Sequence, residues 1–316
     1  MVDFRYHLVS IIAVFLALAL GIVVGTTALN GRLPGDLEGR IDGLTGEKRA
    51  LEDTVGELRE TTDGDARVLE QLGPGAVDGR LAGRRVVVVS TPNAPSELRE
   101  ELVPVLEEAG ATVSDVVTLR PDLLDPAKTE ALEAVVDRVA PDGAELSGDP
   151  VQRASQELAA ALLEPVGEPG LDLEAGRQIL SAFVELDLIA LEGEEVEDVG
   201  RASLAVLLTG EPVGGADVEG TAARITSLVG LAGALDAAGD GAVVGGPVTA
   251  TDEGGLLRAL REDDAAREAV STVDGLERIT GRLVTVLALQ EQATGTAGRY
   301  GTGEGADEPL PGAVEG

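Results

Sequence analysis

The sequence has no cysteine and no tryptophan, and its one methionine and one histidine are Met1 and His7. Beyond His7 the chain therefore has no thiol, thioether or imidazole group. This excludes disulfide bonds, zinc fingers, thiol catalysis, histidine-based acid–base catalysis and haem ligation by His or Cys for nearly the whole protein. Any function of the remaining residues has to rest on other chemistry.

Positive charge is also scarce. The chain of 316 residues has 24 Lys and Arg residues against 57 Asp and Glu residues, which gives a formal net charge of −33. Nucleic-acid binding needs basic side chains that replace condensed counterions on phosphates, so this charge balance excludes nucleic acid as a partner. The apolar content of 44% is ordinary for a packed core, and the length suits a short segment plus one sizeable domain.

An uncharged apolar run extends from Leu8 to Leu29. At about 1.5 Å of helical rise per residue, it is long enough to cross the roughly 30 Å hydrocarbon core of a bilayer. A cleaved signal peptide is the alternative, but "GTTALNG" is a poor cleavage site and the run is longer than a signal requires. We therefore predict a transmembrane helix over residues 8–29, in contact with lipid along its length. The span includes these residues: Leu8, Phe15, Gly21, Gly25 and Leu29.

Charge around the run predicts its orientation. The α-amino group, Arg5 and His7 precede the run, whereas a lone Arg32 and then Asp36 and Glu38 follow it. The bias of basic residues toward the cytoplasm predicts a single-pass cell membrane protein with residues 1–7 in the cytoplasm and the rest outside. Gly21 and Gly25 form a GxxxG pattern that lets two helices approach closely, although glycine is common in membrane helices in any case.

A seven-residue repeat follows the "GRLPGD" break and predicts a coiled coil over residues 36–72. Its interface is expected to need a protein partner or a second copy of the chain. The alternative is an amphipathic helix that lies on the chain's own domain. "LGPGAVDG" is expected to end the helix, because proline and glycine disfavour its continuation. The predicted interface consists of Leu37, Ile41, Leu44, Leu51, Val55 and Leu58.

From residue 82 onward, short apolar runs alternate with helical patterns. The runs interpreted as strands are "RRVVVVSTP", "ATVSDVVTL", "SLAVLLTG", "GAVVGGP" and "GRLVTVLAL". Continuous valine runs between helices predict an α/β fold, with a Rossmann-like parallel sheet covered by helices on both faces over residues 82–290. The last residues, 294–316, are rich in glycine, proline and acidic groups and are expected to form a disordered tail.

No catalytic constellation is visible in this domain. The loops after the strands contain neither GxGxxG nor GxxxxGK[ST]. Ser90 and Thr91 follow the first strand but have no histidine to act as a base. Acidic pairs such as Asp263–Asp264 and Glu194–Glu195 are interpreted as solvated surface. The sequence thus predicts a protein that is not an enzyme and that has no cofactor, catalytic residue or metal ligand.

Three stretches together carry a family resemblance: "FRYHLVSIIAVFLALALGIVVG" with the heptads behind it, "VSTVDGLERITGRLVTVLAL", and "GRYGTG". They resemble the actinobacterial MctB family of copper-transport proteins over nearly the whole chain. The resemblance implies copper homeostasis or efflux through a channel-forming envelope protein. Corynebacterial SteB-like members instead imply a partner called SteA, control of cell-wall hydrolysis and cell separation.

The family motifs have no assigned role, and they comprise Ser271, Thr272, Val273 and Asp274 with Tyr300 and Gly301. Asp274, which precedes Gly275, is most simply interpreted as a turn residue. Tyr300 is interpreted as an anchor for a docked tail or as part of a partner surface.

Copper chemistry conflicts with a literal copper-binding role. Copper(I) prefers sulfur ligands and copper(II) favours imidazole, and neither occurs beyond His7. Two hypotheses follow: a copper-homeostasis protein of an assembled envelope channel, and a non-catalytic envelope scaffold that recruits a membrane partner through its coiled coil.

Overall fold

A computed structural model describes residues 4–29, 33–125, 128–139, 146–167, 170–192, 196, 201–212 and 218–312. The chain divides into two compact units, Met1–Asp65 and Ala66–Gly316. The unit that contains the sheet therefore begins at Ala66, upstream of the predicted boundary at residue 82.

The first helix, α1, spans Phe4–Leu29. Its segment Tyr6–Thr26 is the one helix among the described residues that is long and apolar enough to cross a membrane. Leu8 is 50% exposed and Phe15 is 67% exposed, as expected for side chains that contact lipid. The predicted anchor residues Gly21, Gly25 and Leu29 also lie in α1. An amino-terminal apolar helix that fits a single-pass anchor is thus confirmed.

The second helix, α2, spans Leu33–Val77 and includes all six residues of the predicted coiled-coil interface. Five of their side chains are exposed along the helix: Ile41, Leu44, Leu51, Val55 and Leu58. The side chain of Leu37 lies outside the described part of the structure. The helix is continuous through this repeat, and its pairing with another helix stays a prediction.

As predicted, α2 ends within "LGPGAVDG", but it first continues through Pro74 and ends at Val77. Val77 is fully buried, and a Cβ atom placed on Gly73 would lie 2.8 Å from the side chain of Leu283. The last turn of α2 therefore packs closely against the domain. Packing of this turn outweighs the roughly 3 kcal/mol by which proline disfavours a helix interior.

Seven strands form one sheet in the order β3-β2-β1-β4-β5-β6-β7. Neighbouring strands are parallel except for β3, which runs antiparallel to β2 at one edge. The strands are β1 (Arg85–Ser90), β2 (Thr112–Leu119), β3 (Ile189–Leu191), β4 (Leu204–Leu208), β5 (Ala242–Gly245), β6 (Ser271–Val273) and β7 (Arg299–Tyr300).

Helices cover both faces of this sheet. They are α3 (Ser96–Glu108), α4 (Thr129–Val139), α5 (Pro150–Leu162), α6 (Leu173–Glu185), α7 (Val218–Ala238), α8 (Leu256–Glu262), α9 (Asp264–Ala269) and α10 (Ile279–Gln292). Val87 and Val89 face a core shared with α4 to α8, whereas Val86 and Val88 face a core shared with α3 and α10. Successive side chains of a strand point to opposite faces of the sheet, so this fully buried run of valines contributes to one core on each face. The predicted α/β fold, with a mostly parallel sheet flanked by helices, is confirmed.

One predicted strand is wrong. The segment "GRLVTVLAL" forms most of helix α10, with Ile279, Val286 and Leu289 buried on one face. These residues recur at intervals of seven and three, which fits a helix. A short apolar run has the same composition in a buried strand and a buried helix, so composition could not separate the two.

The structure also differs from the expected disordered tail. Arg299–Tyr300 forms the edge strand β7, paired with β6, and the chain then continues in described positions to Gly312. Tyr300 is only 6% exposed. Residues 294–312 have few large apolar groups of their own to offset the entropy lost on ordering. Their contacts with the sheet offset this loss instead. Residues 313–316 lie outside the described part of the chain, as do Glu194 and Glu195.

Candidate functional site

The two family motifs meet at one edge of the sheet. Strands β6 and β7 run parallel, Val273 is the register partner of Tyr300, and the Asp274 N–H donates to the Tyr300 carbonyl at 3.2 Å. The residues that follow parallel strands emerge together at the carboxyl ends of those strands. The topology therefore places Asp274 beside the Gly301–Gly303 turn, which is distant in sequence.

Asp274 is buried, and its carboxylate holds this turn in place. Oδ1 accepts a hydrogen bond from the Thr302 N–H at 2.9 Å, and Oδ2 accepts one from the Gly303 N–H at 3.0 Å. Oδ2 also pairs with Arg261 Nη2 at 2.9 Å, with both side chains almost fully buried. The interpretation of Asp274 as simply a turn residue is thus wrong. The turn conformation belongs to the next residue, Gly275, which has a φ of 78°.

Arg261 reaches the motifs from helix α8. Its Nε donates to Thr272 Oγ1 at 3.0 Å, its Nη2 to the Tyr300 carbonyl at 2.9 Å, and its Nη1 to the Glu304 carbonyl at 2.8 Å. Burial lowers the pKa of Arg261, and the hydrogen bond and negative charge of Asp274 oppose that shift. The guanidinium is so strong a base that it stays protonated despite this lowered pKa. We call Arg261, Asp274 and the loop Tyr300–Glu304 the Asp274 clasp.

Two glycines allow the loop to approach Asp274. Gly301 has a φ of 124°, and a Cβ atom there would overlap the Asp274 carboxylate. A Cβ atom on Gly303 would lie 2.6 Å from Thr251 Oγ1. The YGTG motif thus needs glycine at both positions because the backbone lies directly against the carboxylate and its neighbour.

The other motif residues support the same edge. The Ser271 hydroxyl accepts a hydrogen bond from the Gly298 N–H at 3.0 Å. Tyr300 is buried, and its hydroxyl donates to the carboxylate of Glu291 on α10. Burial raises the pKa of the Tyr300 phenol, and the hydrogen bond and charge of Glu291 act in the same direction. Of the two interpretations of Tyr300, the structure supports the docked tail anchor.

Replacing Tyr300 with phenylalanine is expected to cost about 1 kcal/mol of unfolding free energy at pH 8, through loss of one hydrogen bond. A raised phenol pKa stabilises the fold below the ordinary tyrosine pKa of about 10, and this contribution is lost as the pH rises above that value. The stability difference between the wild type and Tyr300→Phe should therefore shrink between about pH 9 and about pH 11. Denaturant unfolding at a series of pH values measures it. A difference that is independent of pH would contradict the assigned hydrogen bond.

Sequence reasoning singled out Asp274 and Tyr300 but missed Arg261. The arginine lies in "LLRALRE", an ordinary amphipathic stretch of an acidic chain, and nothing in that pattern indicates burial. Only the packing of α8 against β6 brings its guanidinium to Asp274.

A separate cavity of about 190 Å³ lies at the carboxyl ends of β1 and β4. The strand order reverses there: the chain passes from β1 to β2 on one side and later returns to β4 on the other. Open α/β sheets commonly bind ligands at such a reversal. The lining includes Pro92 and Asn93 after β1, Thr209, Gly210 and Glu211 after β4, and Arg224 and Ile225 of α7. We call this cavity the switch-point crevice.

Of the positions considered for catalysis, the described part of the chain includes Ser90, Thr91, Asp263 and Asp264. Ser90 and Thr91 are buried at the end of β1, and Thr91 Oγ1 donates to Asn93 Oδ1 at 2.7 Å. The Asp263 carboxylate caps α9 by accepting a hydrogen bond from the Ala266 N–H at 2.8 Å. Within the described ranges, no group of three or more His, Cys, Asp or Glu side chains is placed to hold a metal ion.

These features define a class of protein: an α/β domain with a mostly parallel sheet and a clasped carboxyl-terminal loop, in a chain that begins with one apolar helix. The chain belongs to the MctB family, because the family model described as "Copper transport outer membrane protein, MctB" matches residues 1–311. The match covers both compact units and includes the clasp.

Similar proteins support this assignment over the same length. The copper transporter MctB of Mycobacterium tuberculosis is 29% identical over 313 residues, which cover 97% of this chain and 98% of that protein. The protein of the same name from Mycobacterium leprae is 29% identical over 321 residues, with the same coverage of the two chains. The resemblance expected from the sequence motifs is thus confirmed.

Proposed function

We propose that this chain acts in copper homeostasis of the cell envelope as a membrane-anchored, non-catalytic subunit of a larger assembly. Support for the copper role comes from the family description and from the name of the mycobacterial relatives. Support for the subunit role comes from the exposed apolar face of α2. In this proposal, copper is handled by the assembly and not by ligands of this chain alone.

The residue chemistry supports placing the copper ligands elsewhere. Sulfur and imidazole are the side-chain groups with the strongest preference for copper, and the chain has none beyond His7. A single apolar helix also cannot enclose a water-filled path without other helices around it. A copper path therefore requires several copies of the chain or a different membrane protein.

The proposed orientation places the α/β unit outside the cytoplasm. Arg5 and His7 lie in the first turn of α1, ahead of its apolar run, whereas Asp36 and Glu38 follow the run, and this asymmetry favours a cytoplasmic amino terminus. The sheet and the Asp274 clasp would then face the envelope.

The observation that carries the subunit role is the exposed leucine face of α2. Leu44 is 65% exposed, Leu51 is 66% exposed and Leu58 is 63% exposed, at intervals of seven residues. Full burial of one such side chain contributes roughly 1.5–3 kcal/mol. A face of this kind is typical of a helix that pairs with another helix.

Charges beside the leucine face favour a different chain over a second copy as partner. In a parallel, in-register pair, Glu47 of one helix would lie opposite Glu52 of the other, and Lys48 would lie opposite its own equivalent within the interface. Lys48 Nζ instead pairs with Glu52 of its own helix at 3.2 Å. A partner helix with basic residues at the flanks would remove the repulsion.

The same face supports a second candidate function. A scaffold that recruits a membrane partner, resembling the SteB-like pattern, would regulate cell-wall hydrolysis and cell separation without any copper path. Both candidates require the leucine face, so the experiments below first test the face and then separate copper from cell separation.

The double variant Leu44→Asp, Leu51→Asp is expected to abolish co-purification of the partner from native membranes, because it places two carboxylates in the apolar interface. The matched control is Gly43→Asp with Ala50→Asp, which adds the same charges at the same spacing on another face of α2. Quantitative mass spectrometry of the material that co-purifies with each variant should show loss of the partner only with the first variant. Equal partner recovery from both variants would refute the subunit proposal.

Deletion and complementation separate the two candidates. Cells that lack the gene should accumulate copper, and the control variant should restore the wild-type level whereas the leucine-face variant should not. Unchanged copper content with chained, unseparated cells would favour the scaffold. Stoichiometric copper binding to the purified full-length chain with a Kd of about 1 μM would contradict the placement of the ligands on a partner.

A further inference from the structure

We propose that the switch-point crevice is a binding site for an apolar amino acid, or for a molecule with the same juxtaposed carboxylate, ammonium and apolar group. The family description and the names of its members assign no such ligand. The proposal does not depend on the copper role or on the leucine face of α2.

The position of the crevice is the first support. It lies at the carboxyl ends of parallel strands, at the reversal of strand order between β1 and β4, and residues of the loops after these two strands line it. Such a reversal of strand order is the general ligand position of open α/β sheets. The absence of a glycine-rich phosphate loop in the sequence argues against a nucleotide.

The size and walls of the crevice indicate a small apolar group. Its volume of about 190 Å³ exceeds the roughly 150 Å³ that is enough for a benzene-sized molecule. The apolar lining residues come from five separate segments of the chain: Pro92, Pro121, Leu124, Pro212, Ile225, Leu228 and Leu256. These walls suit one branched or aromatic side chain rather than a sugar.

Two opposite charges line the same crevice. Among the described residues, the charged ones that line it are Arg224 and Glu211, and both are exposed. Glu211 is held from two directions, since Thr249 Oγ1 donates to its carboxylate at 3.3 Å and Asn93 Nδ2 donates to its carbonyl at 2.8 Å. Arg224 forms no ion pair with Glu211 or with any other residue in the described ranges.

An amino acid matches this arrangement group by group. Its carboxylate would pair with the Arg224 guanidinium, its ammonium would pair with the Glu211 carboxylate, and its side chain would fill the apolar crevice. A guanidinium is well suited to a carboxylate because its N–H donors form two parallel hydrogen bonds. A ligand with only one charge would leave the opposite protein charge without a partner.

Three probes with one shared phenylethyl group test the assignment: L-phenylalanine, 3-phenylpropionate and 2-phenylethylamine. Saturation-transfer NMR with the full-length protein in lipid nanodiscs measures the affinity of each. We expect L-phenylalanine to bind with a Kd of about 1 mM or lower, and each singly charged probe to bind at least about fivefold more weakly.

Charge-neutral variants then assign the two contacts. Arg224→Gln should weaken L-phenylalanine and 3-phenylpropionate at least about fivefold and leave 2-phenylethylamine unchanged. Glu211→Gln should weaken L-phenylalanine and 2-phenylethylamine and leave 3-phenylpropionate unchanged. Arg67→Gln removes an exposed helical arginine outside the crevice and should change none of the three affinities. Unchanged thermal unfolding of each variant verifies its fold.

Three results would overturn the proposal. The first is no saturable binding of any probe. The second is binding of all three probes with equal affinity, insensitive to both crevice variants, which would indicate nonspecific apolar association. The third is full affinity for one singly charged probe, which would remove the need for an amino acid. None of these results bears on the copper role, so failure of this proposal and failure of the proposed function are distinguishable.

Discussion

Replacing Asp274 with alanine is expected to cost the α/β unit about 3–5 kcal/mol of unfolding free energy, because it leaves the buried guanidinium of Arg261 without its counter-charge. The backbone N–H groups of Thr302 and Gly303 lose their acceptor at the same time. For a unit of this size, the loss corresponds to a decrease in Tm of roughly 10 °C. The wild-type ion pair need not stabilise the fold by this amount, since the cost is mainly that of an unpaired buried charge.

Thermal unfolding of the full-length chain measures this loss, with Glu262→Ala as the control. That variant removes an ion pair between Arg258 and Glu262 on the same helix, at 2.8 Å but with Glu262 mostly exposed. Exposed pairs of this type contribute less than about 1 kcal/mol. Similar Tm changes for the two variants would contradict the clasp.

Limited proteolysis provides a second measurement for Asp274→Ala. The loop after Tyr300 is held by Asp274 and by the bond from Arg261 to the Glu304 carbonyl. Release of the loop should make the peptide bond after Glu304 accessible to a glutamate-specific protease well below the unfolding temperature. Retained protection of this bond would show that other contacts hold the loop.

Replacing Gly281 with valine is the second large expected effect. A Cβ atom at this position of α10 would overlap the carbonyl oxygen of Gly275, and both the oxygen and the carbonyl carbon belong to the backbone. The helix cannot relieve the overlap by a side-chain rotation, so it must move away from the sheet. Because overpacking of a core commonly costs 1–3 kcal/mol and a backbone clash is less easily relieved, we expect a loss of about 3 kcal/mol.

Gly233→Ala is the matched control for Gly281→Val. Gly233 also lies inside a helix, α7, but a Cβ atom there has nothing within 4 Å. Alanine at this position should therefore stabilise the protein by up to about 1 kcal/mol, through the lower conformational entropy of the unfolded chain. Denaturant unfolding should thus give changes of opposite sign for the two variants. A neutral Gly281→Val would contradict the close contact between α10 and the Gly275 backbone.

The two glycines show what pattern reading can and cannot recover. In the sequence both are isolated glycines within apolar segments, and neither pattern distinguishes a site of close backbone approach from an open surface. The same limit explains why the pattern of "GRLVTVLAL" predicts a strand. A helix can pack at this place because Gly281 contacts the backbone of Gly275. That contact forms only in the folded protein and leaves no periodic signal in the sequence.

The clasp shows a similar division. The motifs at Ser271–Asp274 and Tyr300–Gly301 are visible from the family resemblance, but taken separately they predict a turn at Asp274 and a tail anchor or partner surface at Tyr300. Pairing of β6 with β7 unites them, and Arg261 from α8 joins both. Long-range strand pairing depends on the whole sheet, so it could not be read from either segment.

The sequence by itself determined the chemistry that this protein lacks and the elements with strong local patterns. Composition excludes sulfur and imidazole beyond His7, length and apolarity define the amino-terminal helix, and valine runs between helices predict the parallel sheet. Tertiary structure decided the extension of α2 through Pro74, the helical state of residues 279–292, the ordered position of residues 294–312 and the partner of Asp274. In each of these cases burial against distant residues outweighs a local preference of a few kcal/mol, and that balance is set only when the chain has folded.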